Sequence, residues 1–285
     1  MSGRPAVRDT LKELGLAPSK SRGQNFLKDE NRIAAIVGAI INAAGSTSKL
    51  LEIGPGLGAL TLPLLASGAS VTAVELDRGL AENLSLTAAA EYPGRLNIIH
   101  QDILTVEPGP LAKEAKAPLF VCGNLPYNIS SPVLFWFLRH RHCFSGAMFM
   151  LQKEMADRLA AVPGTKDYGR LTVALGLWCQ VAKVMSVPPS AFHPRPRVES
   201  VIISLRPRQD DEAADITVSP EALGRFTAAA FAARRKTIFN NLSKVYGRDQ
   251  ATAALETNSI EPGLRAETLS PRQLAALAGC LETTV

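Results

Sequence analysis

Asn124, Leu125, Pro126 and Tyr127 form a tetrapeptide in which each residue type has a use in one kind of chemistry. An exocyclic amine on an aromatic base is a poor nucleophile, because its lone pair is delocalised into the ring. A site that accepts both amine hydrogens orients that lone pair and stabilises the positive charge developing on nitrogen. The Asn124 side-chain oxygen can be one acceptor and the Leu125 backbone carbonyl the other. Pro126 biases Leu125 toward extended backbone, which would point that carbonyl outward. Tyr127 offers a flat face on which an unstacked base can lie. The plainer reading is a Pro-Tyr turn that closes a strand and packs its ring inward. What precedes the tetrapeptide therefore matters.

Three other strand ends carry ligand-type residues. "EIGPGLGALT" at 52–61 follows an apolar run and opens an Ala/Leu-rich helix. Gly54, Gly56 and Gly58 let backbone approach a ligand closely, in the place where open α/β sheets bind nucleotides. Gly54, Gly56 and Ala59 also satisfy the dinucleotide fingerprint, so this turn alone leaves NAD and S-adenosylmethionine open. Glu75 closes the next strand in "VELD" and can accept hydrogen bonds from both ribose hydroxyls. Its neighbour Asp77 reads better as a helix cap. Asp102 in "HQDIL" closes a third strand, where a carboxylate can meet an adenine amino group. Together they indicate an adenosyl ligand. The tetrapeptide after a fourth strand favours a methyl donor, since a dehydrogenase has no evident use for it.

The elements that must hold these residues alternate. Strand-like segments at 49–53, 70–76, 96–100, 118–122 and 146–151 are separated by helical patterns, which implies a parallel sheet covered on both faces. Segments 182–187 and 198–205 flank a Pro-rich loop and suggest an antiparallel edge. After a polar stretch, "RPRQDDEAAD", no strand pattern returns. Ser219-Pro220 and Ser270-Pro271 each read as an N-cap followed by Pro at the first helical position.

The totals set bounds on this reading. A chain of 285 residues has room for one large domain and a smaller one. A net charge of +5 permits a nucleic-acid partner without requiring one. Cys122, Cys143, Cys179 and Cys280 have no Cys-x-x-Cys spacing, and no metal cluster is evident. The N-terminal segment lacks the apolar core of a secretory signal, and no uncharged apolar run reaches membrane-spanning length. A soluble cytoplasmic protein is expected.

"SRGQNFL", "EIGPGLGALT", "VELD", "QDIL", "GNLPYNISSP", "MLQKEMADRL", "YGRL" and "VPPSAFHPRPRVES" follow one another in an order that resembles the ribosomal RNA small-subunit adenine dimethyltransferases, over about residues 20 to 275. The resemblance implies a class I S-adenosylmethionine-dependent methyltransferase fold, Rossmann-like with a seven-stranded, mostly parallel sheet, and a small C-terminal all-α domain. The implied divisions are an N-terminal extension at 1–47 carrying the cofactor-covering GQNFL segment, a catalytic domain at 48–205, a linker at 206–216 and a helical RNA-binding domain at 217–285. The implied reaction dimethylates two adjacent adenosines near the 3′ end of 16S rRNA, in the context of the 30S subunit, with the enzyme acting as a monomer. The family's cofactor positions fall on Asn25, Leu27, Gly54, Glu75, Asp102 and Asn124, with Gly56 in the same turn. Arg22 and Gln101 depart from the family picture without touching this chemistry, and Phe239 stands where a basic or aliphatic residue is frequent.

Further candidates are weaker. Phe192 is the best second aromatic to sandwich a base against Tyr127, although a Phe in such a loop is as often a hydrophobic plug. Arg195 and Arg197 in the same loop are candidates for phosphate contacts. In "FAARRKTIFNNL" a single helix would carry Phe231, Ile238 and Leu242 on one stripe, with Arg234, Arg235 and Lys236 available to grip an RNA backbone. Competing functions are a 23S rRNA adenine methyltransferase of the macrolide-resistance type, a catalytically silent assembly factor of the same fold, and an NAD-dependent oxidoreductase.

Overall fold

The computed structural model describes residues 7–18, 23–45, 49–208 and 216–282. In chain order its elements are α1 (Val7–Glu13), β1 (Phe26–Leu27), α2 (Glu30–Ala44), β2 (Lys49–Ile53), α3 (Thr61–Ala66), β3 (Ser70–Glu75), α4 (Arg78–Glu91), β4 (Leu96–His100), α5 (Pro108–Ala115), β5 (Leu119–Asn124) and α6 (Ser130–Arg139). There follow β6 (Phe144–Gln152), α7 (Lys153–Leu159), α8 (Arg170–Trp178), β7 (Cys179–Val187), β8 (Phe192–His193), β9 (Ser200–Pro207), α9 (Pro220–Ala230), α10 (Ile238–Tyr246), α11 (Arg248–Thr257) and α12 (Pro271–Glu282).

Seven strands form one sheet in the order β4-β3-β2-β5-β6-β9-β7. The pairs β2–β3, β3–β4, β2–β5 and β5–β6 are parallel, and β9 runs antiparallel to β6. The expected mostly parallel sheet with an antiparallel edge is what the chain forms. Its strand order reverses at β2. From there β3 and β4 build outward on one side and β5 and β6 on the other, so a crevice opens between the carboxyl ends of β2 and β5.

One face of this sheet takes an amphipathic helix. In α2, Ile33, Ile36, Val37 and Ile40 recur at helical spacing and pack with Leu50, Val71, Phe120, Met148 and Ile202. Each such side chain contributes about 1.5–3 kcal/mol on burial. Asp29 caps this helix by accepting the Arg32 amide hydrogen at 3.0 Å. The short segment ahead of it does more than lead in. Phe26 and Leu27 form an antiparallel ladder with His193 and Phe192, a two-stranded sheet separate from the large one. Ser21 and Arg22, which open that motif, lie outside the described residues.

Two compact units emerge, Met1–Ala156 with Ala182–Pro207, and Asp157–Val181 with Arg208–Val285. The helical unit is thus wider than the expected 217–285. Its extra segment is held by burial: α8 packs on α9 and α12, and the buried Tyr168 donates its hydroxyl hydrogen to the Leu269 carbonyl at 2.9 Å. The expected linker begins inside β9, and 209–215 lie outside the described residues. Both predicted caps are present, with Ser219 Oγ accepting from Ala222 at 3.1 Å and Ser270 Oγ from Gln273 at 3.2 Å. The single helix expected over 231–242 is not formed. Residues 231–237 make turns, and Thr237 Oγ1 caps α10 by accepting the Asn240 amide hydrogen at 3.2 Å. A Thr side chain competing for the backbone at that point begins a new helix and ends the old pattern.

Beneath the crevice, β2 and β5 approach unusually closely. A methyl group at Gly123 would lie 2.4 Å from the Ile53 carbonyl oxygen, a backbone atom that cannot swing aside. Gly123→Ala is therefore expected to destabilise the chain by about 1–3 kcal/mol through overpacking, read as a lower denaturation midpoint with an unchanged slope.

Candidate active site

The turns after β2 and β5 and the segment around β1 enclose one cavity. It is lined by Asn25, Leu27, Gly54, Gly56, Glu75, Asp102, Asn124, Leu125, Pro126 and Tyr127, so all the expected cofactor positions and the tetrapeptide come together. Phe26, Leu57, Ile103 and Ile129 add apolar wall. The crevice at the reversal of strand order is what gathers residues nearly 100 positions apart.

The glycine turn is shaped by what lies against it. Gly58 has φ +76°, and a Cβ there would meet Leu84 Cδ1 at 2.6 Å. At Gly56, φ +57°, a Cβ would stand 3.3 Å from the Phe26 ring, which therefore lies directly on the turn. The turn's glycine amides are already engaged. Gly54 donates to the Val74 carbonyl at 2.9 Å and Gly56 to Glu75 Oε2 at 3.0 Å.

Glu75 is buried, and its other oxygen, Oε1, accepts the Asp77 amide hydrogen at 2.9 Å. Burial pushes its carboxyl above the usual range, and backbone amides, those of Asp77 and Gly56 foremost, pull it back down. Each carboxylate oxygen keeps a second lone pair, enough for a pair of ribose hydroxyls. Asp77 caps α4 by accepting from Gly79 and Leu80 at 3.0 and 3.2 Å, as its position suggested. Asp102 Oδ1 accepts from Leu104 at 3.0 Å, which fixes the side chain at the cavity wall.

Charge decides between the two cofactors left open. The ionisable side chains lining the cavity are the acids Glu52, Glu75 and Asp102 with the Tyr127 phenol, and no Lys, Arg or His is among the described ones. A pyrophosphate would face three carboxyls and a turn whose glycine amides already have acceptors within the protein. A ligand carrying a sulfonium and an ammonium fits the same wall. The dinucleotide reading of the glycine pattern is therefore set aside. Asn25, Leu27, Gly54, Glu75, Asp102 and Asn124 would hold S-adenosylmethionine. Among the described residues, no group of His, Cys, Asp and Glu could hold a metal ion.

On the amine side, Asn124 Nδ2 donates to the Asn25 carbonyl at 3.0 Å. That oxygen can only accept, so the amide nitrogen must face it, and Oδ1 is left as the acceptor. Leu125 buries its side chain, and its amide donates to the Met150 carbonyl at 3.2 Å. Pro126 starts the turn, its carbonyl accepting from the Ile129 amide and the Ser130 hydroxyl at 3.2 and 3.0 Å. Tyr127 is half-buried, with its hydroxyl 3.2 Å from Ser200 Oγ. Burial holds this phenol above its usual range, an effect the Ser200 hydroxyl partly offsets.

Two expectations need correcting. Phe192 is 2% exposed, packed into the core and paired with Leu27, and does not line the cavity. It is the plug of the Pro-rich loop, because a strand pairing turns its ring into the apolar layer. Arg234 donates to the Lys166 and Tyr168 carbonyls and lies 3.7 Å from Glu267, so its guanidinium braces the helical unit. Arg195, Arg197, Arg235 and Lys236 are exposed. Contact with Lys244 holds the Lys236 ammonium below its usual range. Phe239 stacks under the Arg248 guanidinium, 5.3 Å from carbon to ring centre.

Three contributors escaped sequence reasoning: Phe26, Ser200 and Glu52. Glu52 alone carried a readable signal, an acid inside an otherwise apolar strand. Removal of Glu75 as Glu75→Ala orphans two amides at about 1–3 kcal/mol each. It is expected to weaken S-adenosylmethionine binding roughly ten- to a hundredfold, measured by calorimetry on the free protein, with a lower melting temperature alongside.

Comparison with known proteins agrees with this chemistry. The family model described as ribosomal RNA adenine dimethylase matches residues 17–282. The chain is 44% identical over 268 residues to a ribosomal RNA small subunit methyltransferase A of Xylella fastidiosa, covering 94% of this chain and 97% of that one. It is 40% identical over 279 residues to the protein of that name in Magnetococcus marinus, covering 98% and 97%. A dimethyladenosine transferase structure from Plasmodium falciparum superposes with TM-score 0.72 at 26% identity, covering 88% of this chain and 95% of that one. A 23S rRNA methyltransferase structure gives TM-score 0.64 at 29% identity, covering 90% and 100%. The chain belongs to the ribosomal RNA adenine dimethylase family, and it is an S-adenosylmethionine-dependent ribosomal RNA adenine dimethyltransferase.

Proposed function

We propose that this enzyme dimethylates two adjacent adenosines near the 3′ end of 16S rRNA, four methyl groups in all, acting as a cytoplasmic monomer on the small subunit during ribosome assembly. Support comes from the small-subunit naming shared by relatives at 40–44% identity across nearly the whole chain. The observation that carries the chemistry is the fixed Asn124 amide, whose nitrogen is held by Asn25 so that Oδ1 meets an incoming amine.

The bound donor supplies an electrophilic methyl carbon: the adenine N6 lone pair forms the new C–N bond, the C–S bond breaks to a neutral thioether, and a proton then leaves N6 to solvent. The chain's own residues make that nitrogen available. Asn124 Oδ1 and the Leu125 carbonyl accept the N6 hydrogens and counter the charge building there. Tyr127 stacks on the unstacked base, its ring angle set by the Ser200 contact. With Phe192 buried, Tyr127 carries this stacking alone in the described geometry. No general base is required before the transfer, so positioning and charge stabilisation do most of the work.

Arg195, Arg197, Arg235 and Lys236 are exposed, cationic and suited to phosphate contacts, each of which adds to salt-dependent affinity. In this reading Arg234 acts indirectly, by holding the turn that presents its neighbours.

Asn124→Ala is expected to lower kcat about 10²–10³-fold, the scale of losing one preorganised charge-stabilising group, while S-adenosylmethionine affinity changes far less. Single-turnover methylation of undermodified small subunits, with mass mapping of the product RNA, reads both rate and position. Methyl groups found in 23S rRNA would overturn the assignment to the small subunit. Tyr127→Phe is expected to keep most activity and Tyr127→Ala to lose it, because the stacking face matters more than the hydroxyl.

A further inference from the structure

Glu52 adds an acid to the cavity wall, and its setting there is unusual. It lies within β2, paired to Ala73 on β3 and Cys122 on β5, is 2% exposed, and lines the cofactor cavity. Its Oε2 makes no hydrogen bond of good geometry, and neither does the buried Thr61 Oγ1 at the start of α3, although that hydroxyl is near enough to favour the ionised carboxyl. Buried polar atoms are nearly always satisfied, so two orphans at the edge of a ligand cavity point to something that the ligand completes.

The groups facing Glu52 can be named element by element. From β3 comes Glu75, from β5 the Cys122 thiol and from α3 the Thr61 hydroxyl, while Asp102 lines the same cavity from beyond β4. None of these is a cation. Glu75 holds two backbone amide donors, which stabilise its charge, whereas Glu52 has none. Two neighbouring carboxyls in a buried setting do not both ionise readily, and the one without donors keeps the proton. Desolvation accordingly raises the Glu52 carboxyl to about 7, with Glu75 adding to the rise and Thr61 lowering it.

We propose that Glu52 is a cofactor-anchoring residue whose carboxyl keeps its proton in the free protein up to about neutral pH and gives it up when the sulfonium-bearing cofactor binds. The proton passes to solvent, and the new carboxylate meets the positive charge carried by the cofactor. After methyl transfer the product is a thioether without that charge, so Glu52 regains its proton and the hold on the product weakens. A site of this kind favours substrate over product without a contact that differs in shape.

The proposal separates the charged ligand from the uncharged one. Calorimetric titration of the full chain with S-adenosylmethionine and with S-adenosylhomocysteine, from about pH 6 to about pH 8 in buffers of different ionisation enthalpy, counts the protons released. S-adenosylmethionine binding is expected to release more protons than S-adenosylhomocysteine binding near neutrality. Its affinity is expected to fall about tenfold per pH unit below about 7, with a much flatter curve for the thioether. Glu52→Gln should abolish the difference in proton release and flatten the S-adenosylmethionine curve. Equal proton release by the two ligands in the wild type would overturn the proposal even if the variant failed to fold, and so would undiminished release in a folded Gln variant. If an ordered water merely bridged Glu52 and Thr61, no proton would leave for either ligand.

Discussion

The close contact of β5 with β2 at Gly123 is the constraint on which the rest of the site depends. Only hydrogen fits between that Cα and the Ile53 carbonyl, so the two strands end side by side with their turns in one crevice. The glycine turn follows Ile53 directly and Asn124 follows Gly123 directly. A donor held by the first turn and an amine held by the second are thus brought together by backbone alone. Side chains refine this placement, but the proximity itself is set by sheet register.

Charge then selects what can enter. Glu52, Glu75 and Asp102 line the cavity without a basic neighbour among the described residues, so a cation is favoured over an anionic pyrophosphate. The same choice is made by the backbone. Amides that cradle phosphate in other nucleotide-binding turns here bond to Glu75 and to the Val74 carbonyl. The acid that would receive a ribose is also the acid that shapes the turn. Cofactor affinity and local stability therefore share one side chain.

A third tie runs through the segment before α2. The Asn25 carbonyl orients Asn124, Phe26 covers Gly56, and Leu27 pairs with the buried Phe192. One short strand links the cofactor wall, the amine acceptor and the Pro-rich loop. The helical unit is consolidated by its own contacts, above all Tyr168 bonded to Leu269 and Arg234 braced on two carbonyls. Its exposed cations are carried by turns and not by the helix that their spacing suggested.

The sequence by itself determined the sheet and its ligands, because both rest on local signals. Apolar runs ending in glycine, Glu75, Asp102 and Asn124 mark strand ends, and Ser-Pro pairs mark helix starts, without reference to anything distant. Asp77 as a cap and the place of Asn124 at the end of a strand were legible for the same reason. What lay beyond reach depends on partners far along the chain. Phe192 has the type of a stacking ring, but pairing with Leu27 turns it inward. Arg234 has the type of a phosphate ligand, but two carbonyls some 66 residues away claim it. Glu52 stands out as an acid in an apolar strand, but what that acid faces is fixed only when the sheet places Glu75 beside it and closes both from water. Residue type states what a side chain is able to do; burial and partners, which exist only once the chain has folded, decide what it does.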